Sequence, residues 1–442
     1  MRLGLKILMV LGLTLAILVP LTMIRGVIHE REGYRAEAVA KVARSIAGRQ
    51  SFAGPVLVVP YREQVEVVER DKYGVEHAVQ RTEERRWVHF PGTLDVGGTL
   101  VPETRRSGLY EVRAYAWQGH AQAAFDVRIP DDAGAGARSI GQPYLGYAIG
   151  DVRGLRGKAR LRVDGRELPV LQGLDGQGRS GLHARLPVPR AGQRLALRTR
   201  FDFTLAGTEA LDVVPLGDGN RVALDSPWPH PSSVGTLAPG LLDVDANGFR
   251  AQWELPALAA NTQATYARWL QRGGKNGSEA PAGIDSIGVQ LVDPVDIYTK
   301  ADRATKYGLL FVALTFVGFF MFELLRQLRI HPIQYALVGL ALAIFFLLLV
   351  SLSEHIEFGW AYLAASLACI CLLGFYLSAV LRSALRGLGF ATMLATLYAA
   401  LYGLLVSEDN ALVLGAGLLF VVLAAVMVLT RKVDWYRVAT TG

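Results

Sequence analysis

Hydrophobic residues fall in two rhythms along this chain. In the last third, nearly charge-free runs occupy 307–325, 333–351, 361–380, 387–405 and 412–429, each close to the roughly 20 apolar residues that a hydrocarbon layer demands. An earlier run, 7–24, follows Arg2 and Lys6 and lacks the small-x-small exit of a cleaved signal, so it is expected to stay as a signal anchor. Residues 27–48 mix Glu30, Arg31, Arg35 and Lys41 with Tyr34, Val39 and Val42, the pattern of an amphipathic helix continuing the anchor. After Gly54-Pro55 the period changes to two, in Val65-Glu66-Val67, in 86–90, 110–115 and 125–129, and later in 159–163, 195–205, 249–255 and 289–292. Alternation of this kind predicts half-buried strands, and the Gly, Pro and Asp clusters between them predict antiparallel sheets packed as a sandwich. One later helix is expected over 257–271, followed by a flexible loop at 272–278, with another soft stretch at 131–137.

Charge gives the topology. Arg326 and Arg329, Arg382 and Arg386, and Arg431, Lys432 and Arg437 follow alternate spans, whereas the intervening loops hold Glu354 and Glu357, or Glu408 and Asp409, and no Lys or Arg. Short cytoplasmic loops carry the excess of basic residues, so both termini are expected inside and residues 25–306 outside. The expected architecture is an integral membrane α+β protein with six transmembrane helices, one N-terminal anchor plus a five-helix C-terminal bundle. A large β-rich, sandwich-like domain at 25–306 follows the anchor, with cytoplasmic ends at 1–6 and 430–442. The net charge of +7 divides into nine Lys/Arg against six Asp/Glu in helices, loops and tails, and 37 against 33 in the outer domain. That excess is small for a domain of its size, and nucleic acid is not expected as a partner.

The search for chemistry returns little. Cys369 and Cys371 sit two apart in one span and point away from each other, so neither a disulfide nor a metal pair is expected. Gly176-Gln177-Gly178-Arg179-Ser180-Gly181 has dinucleotide-loop spacing without the strand and helix that such a loop needs. There is no G-x-S-x-G, H-E-x-x-H or P-loop, and the eight histidines show no ligand spacing. No cofactor and no catalytic residue is assigned. Two polar features remain in the membrane part. Glu323 is the one acid inside a predicted span, either a functional group or an interfacial partner of Arg326. Glu354, His355 and Glu357 form either a cation- or proton-responsive cluster or a hydrated loop. In the outer domain, the proline-stiffened strip Asp225-Ser226-Pro227-Trp228-Pro229-His230-Pro231-Ser232 either presents Trp228 and His230 to a partner or buries the tryptophan in a turn.

Several phrases resemble the CreD family of bacterial inner-membrane proteins: Arg31-Glu32 with Tyr34-Arg35, the 228–232 strip, and Asp302-Arg303-Ala304-Thr305-Lys306-Tyr307. Phe322-Glu323, His331-Pro332-Ile333-Gln334-Tyr335, Leu337-Val338-Gly339-Leu340, Leu352-Ser353-Glu354-His355, Leu429-Thr430-Arg431 and Asp434-Trp435-Tyr436 continue the match in family order. Where the family has an aromatic after the strip, this chain has Ser233-Val234, which weakens an aromatic-platform reading of the loop. The resemblance implies an inner-membrane location, which makes the outer domain periplasmic, control by a two-component system and a role in envelope integrity under cell-wall stress, and it supplies no reaction. The leading expectation is a non-enzymatic scaffold whose partners are the lipid bilayer and a periplasmic protein or cell-wall component, with the oligomeric state open. One alternative is a transporter or lipid-handling protein using Glu323, Glu354 and His355. Another is an envelope hydrolase or transferase using Glu354 with His355 or His230.

Overall fold

The computed structural model describes residues 3–70, 76–130, 138–174, 180–256, 261–271, 284–292, 297–326, 330–407 and 411–431. The soft stretch at 131–137, the Gly176–Gly178 turn, the loop at 272–278, the acids Glu408 and Asp409 and the motif Asp434-Trp435-Tyr436 lie outside them. The chain divides into a helical unit, Met1–Ala36 with Val295–Gly442, and a β-rich unit, Glu37–Pro294.

The helical unit opens with α1 (Leu3–Ala16) and α2 (Leu18–Ser45). They are interrupted at Ile17 because Pro20 has no N–H to give the Ala16 carbonyl. Then follow α4 (Ile297–Arg326), α5 (Pro332–Ser353), α6 (Phe358–Val380), α7 (Ala384–Val406) and α8 (Ala411–Thr430), with α3 (Thr262–Gln271) belonging to the β-rich unit. Five helical stretches, among them Leu8–Ser45, are long and apolar enough to cross a membrane, and α8 carries a shorter apolar core at Val413–Val428. Helix α4 starts well upstream of its apolar run because Asp302 and Lys306, one turn apart, pair at 2.7 Å and hold the polar turns helical. Close approach uses glycine. A Cβ on Gly339 of α5 would lie 2.8 Å from Ile17 Cδ1 and from Phe316 Cζ, and one on Gly387 of α7 would lie 2.7 Å from Ser378 Cβ. These are the small-residue contacts by which membrane helices pack without a hydrophobic driving force.

In the β-rich unit the described strands form two sheets. One runs β14 (Pro231–Gly235), β17 (Ile287–Leu291), β12 (Ala210–Val214), β1 (Gln50–Arg70), β6 (Tyr144–Ile149), β10 (Gly181–Arg185) and β9 (Leu171–Gln172). In that sheet β2 (Glu76–His89) and β5 (Ser139–Ile140) also pair with β1. The other runs β15 (Leu241–Asp245), β16 (Gly248–Pro256), β13 (Gly219–Ser226), β3 (Thr93–Ser107), β4 (Tyr110–Arg128), β11 (Arg194–Thr208), β7 (Leu155–Val163) and β8 (Arg166–Leu168). The expected short strands at 110–115 and 125–129 are one strand, β4, since the intervening Ala116–Ala124 keeps extended pairing with β3 and β11 throughout. Nor are the sheets wholly antiparallel: β1 with β12 and β3 with β13 run parallel. Helix α3 is described from Thr262, and 257–260 lie outside the described residues.

The sheets face each other over one core in which aromatic rings interleave. Phe52 of β1 meets Trp117 of β4 edge-on at 5.6 Å and stacks on Phe203 of β11 at 5.1 Å, while Tyr147 of β6 lies 4.5 Å from Phe201 of β11. Each buried ring removes some 150–250 Å² of surface from water, enough to hold the unit without a crosslink. Asp164 and Gly165, both with positive φ (49° and 82°), make the two-residue turn between β7 and β8.

Candidate functional site

The acids singled out in the helical unit lie at the two ends of α5. At its start, Glu323 of α4 is buried, 4% exposed, and both carboxylate oxygens are engaged. Oε1 accepts the Ile330 N–H at 3.0 Å, and Oε2 accepts the Tyr335 hydroxyl at 2.8 Å. Beside it α5 begins with a reciprocal cap: His331 Nδ1 accepts the Ile333 N–H at 3.3 Å, and Gln334 Oε1 accepts the His331 N–H at 3.0 Å. Pro332 occupies the first turn, where its missing N–H costs nothing. The phrases Phe322-Glu323 and His331-Pro332-Ile333-Gln334-Tyr335 thus form one structural unit, closing the α4–α5 hairpin. The ring of Tyr335 packs on Phe319 at 4.6 Å. One reading of Glu323 paired it with Arg326, whose side chain lies outside the described residues. The carboxylate turns into the hairpin because two otherwise unsatisfied buried donors are there.

At the other end of α5, Glu354 ties three segments together. Its Oε1 accepts the Tyr298 hydroxyl of α4 at 3.1 Å and lies 3.5 Å from Arg31 Nε of α2. One turn along α4 from Tyr298, Asp302 accepts Arg25 Nε of α2 at 3.1 Å and Lys306 Nζ. Residues from three of the family-like phrases therefore meet where α2, α4 and α5 come together. His355 is exposed and turns back to the Ser351 carbonyl at 3.2 Å, and Glu357 is exposed ahead of α6. Of the two readings of Glu354, His355 and Glu357, a converging cluster is not what forms, because the first carboxylate is drawn inward by Arg31 and Tyr298. Nor do Glu323 and Glu354 share a site. They flank opposite ends of the 22-residue α5, about 33 Å of helix. Between them the interior is aromatic, with Phe345 4.6 Å from Tyr398 and Tyr362 donating its hydroxyl to the Tyr398 carbonyl at 2.7 Å. Cys369 is buried and Cys371 exposed on opposite sides of α6.

In the β-rich unit, Pro227–His230 carries the chain from β13 in one sheet to β14 in the other. Trp228 is half-buried. Its Nε1–H donates to the Val292 carbonyl at 3.0 Å, the Arg113 guanidinium lies 4.0 Å over its ring, and His230 meets it edge-on at 5.8 Å. Arg113 belongs to β4 and Val292 follows β17, so the indole fastens both sheets, and one of its faces is already occupied. His230 is exposed. Among the described residues no three His, Cys, Asp or Glu side chains stand close enough to hold a metal ion.

Sequence reasoning missed the roles of Arg31, Tyr298 and Tyr335. Their signal was spacing along helices, which tells which residues share a face but not which helices meet.

The family model for the inner membrane protein CreD matches residues 2–436. The inner membrane protein CreD of Escherichia coli (strain K12) is 37% identical over 429 residues, covering 96% of this chain and 92% of that protein. Among solved structures, an M1 zinc metallopeptidase from Deinococcus radiodurans bound to a Tyr-Ser-Ala substrate aligns over 46% of this chain and 42% of its own. Its identity is 13% and its TM-score 0.25, a likeness too slight to carry a fold or an activity across. The chain belongs to the CreD family of inner membrane proteins.

Proposed function

We propose that this protein is a non-enzymatic scaffold of the cell envelope that spans the inner membrane six times, with α8 as the sixth span. In this reading both termini are cytoplasmic and the β-rich unit stands in the periplasm, where it binds an envelope component and supports integrity under cell-wall stress. The observation that carries it is how the most costly polar group of the helical unit is used. Glu323, the acid a transport route would need, is consumed by Ile330 and Tyr335 in closing a hairpin. The alternation of Arg382, Arg386 and Arg431 with Glu354 and Glu357 supports the orientation. Control by a two-component system follows from the family resemblance.

Photo-crosslinking in cells from Tyr110 and Trp228 tests the scaffold. Repeated capture of one envelope protein or glycan supports it. Absence of any capture from folded, abundant protein, together with loss of function in Glu323→Gln at full abundance, overturns it in favour of transport. Orientation has its own test. A reporter active only in the cytoplasm is expected to stay silent after Gly277 and to work after Gly442, and the reverse pattern sinks the placement.

A further inference from the structure

Several exposed arginines of the β-rich unit have a carboxylate partner. Arg221 reaches Glu254 at 2.8 Å, Arg106 reaches Glu111 at 2.7 Å, and Arg194 pairs with Asp126. Two adjacent strands bring four arginines together on one face, and among the described residues three of the four have no such partner. Arg160 and Arg162 on β7 and Arg198 and Arg200 on β11 all project from the outer face, since their neighbours Leu161, Val163, Thr199 and Phe201 are buried in the core. Arg162 and Arg200 are direct cross-strand partners. Like charges so placed oppose sheet formation, and an unliganded sheet gains nothing from them.

The acids nearby offset the group only in part. Asp202, opposite Arg160, is bonded to Arg200 at 3.1 Å. Glu167, opposite Arg162, lies 3.5 Å from Lys158. Asp164 accepts the backbone N–H of Arg198 at 2.9 Å. Among the described residues Arg160, Arg162 and Arg198 therefore have no ion pair. On the other side of Arg198 the face dips into an open trough of about 680 Å³. Its floor is low because Thr93, Ala124 and Gly219 are small, and it is lined by Gln122, Asp95 and the Arg221–Glu254 pair. Planar amide, carboxylate and guanidinium groups beside exposed backbone suit sugar hydroxyls, and the four arginines beside them suit the acid groups of the same chain.

We infer that this face binds an anionic polysaccharide, with carboxylate or phosphate groups on Arg160, Arg162, Arg198 and Arg200 and sugar rings in the trough. The inference deepens the scaffold reading by naming what is bound. It rests on the proposed periplasmic placement only for the natural source of the chain, so binding is tested on purified protein.

The full chain is reconstituted in phosphatidylcholine nanodiscs and titrated with fluorescent oligogalacturonate of roughly a dozen sugars, with inorganic polyphosphate, and with neutral dextran of equal length. Saturable binding of oligogalacturonate is expected, weakened at least about tenfold in Arg162→Gln/Arg198→Gln and falling steeply from about 50 to about 200 mM salt, with none of dextran. Binding of polyphosphate but not oligogalacturonate, equal binding of dextran, or unchanged binding in the double variant overturns the assignment. So does charge-dependent binding to phosphatidylglycerol vesicles without binding to the sugar chain, which would make the face a lipid-surface contact. The variant's melting temperature serves as the folding control and is expected not to fall, since a like-charge pair has been removed. Failure of binding with the reporter topology upheld refutes the ligand and leaves the scaffold standing.

Discussion

The Glu323 carboxylate and the Tyr335 hydroxyl lie 2.8 Å apart, joining the end of α4 to the first turn of α5. Since the same carboxylate also holds the Ile330 N–H, removing it leaves two buried donors without an acceptor. Glu323→Ala is expected to destabilise the protein by about 2–3 kcal/mol, and Tyr335→Phe, which leaves the Ile330 bond in place, by about 1 kcal/mol. Thermal unfolding in detergent measures both. A melting temperature unchanged in Glu323→Ala would show that the hairpin does not depend on this bond.

Gly339 makes room for the N-terminal helix. A Cβ there would approach Ile17 Cδ1 and Phe316 Cζ to 2.8 Å, so Gly339→Val is expected to push α1 off α5. Protease sensitivity of the N-terminal segment should rise in this variant, and adding Ile17→Ala should partly restore protection by giving the new methyl groups space. Full protection in Gly339→Val alone would contradict this packing.

Arg31 and Glu354 offer a double-mutant cycle across α2 and α5. The pair is 3.5 Å apart, with the Glu354 side chain 10% exposed and that of Arg31 40% exposed, so solvent screens part of the attraction. A coupling of roughly 0.5–1 kcal/mol between Arg31→Gln and Glu354→Gln is expected in unfolding experiments. Additive effects would mean that Glu354 acts through Tyr298 alone.

Trp228 and His230 are adjacent in the strip yet unequal in the fold. Trp228→Ala removes a half-buried ring, its bond to Val292 and the stacking of Arg113, and is expected to cost roughly 2–3 kcal/mol. His230→Ala is expected to stay within about 0.5 kcal/mol, as exposed positions do. Equal effects in a melting comparison would place the fastening elsewhere.

His89 carries a pH dependence. Burial holds its imidazole below the ordinary histidine value, and among the described residues its Nε2 has no hydrogen-bond partner. The unfolded chain therefore takes up this proton first as pH falls. Stability from this group is complete above about pH 6.5 and is lost as the pH drops towards the lower folded value. Wild type should lose stability as the pH falls below about 6.5, and His89→Phe should show a shallower loss. Identical slopes would assign the acid sensitivity to carboxylates such as Glu103, which the Arg156 guanidinium holds below its usual range.

What the sequence determined by itself is what depends on local composition. Runs of apolar residues at 333–351 and 361–380 lie inside α5 and α6, because a segment in hydrocarbon must satisfy its own backbone. Alternation at 195–205 lies inside β11, because side chains on a strand reverse at every residue. Only the tertiary structure decided which of these elements meet. Asp302, Glu323, Tyr335 and Glu354 were visible as family-like phrases, yet that the second and third close one hairpin depends on how α5 folds back on α4, and that the first and fourth face α2 depends on helix packing across hundreds of residues. The four arginines of β7 and β11 were hidden for the same reason. Arg160 and Arg162 lie far from Arg198 and Arg200 along the chain, and register alone sets Arg162 opposite Arg200.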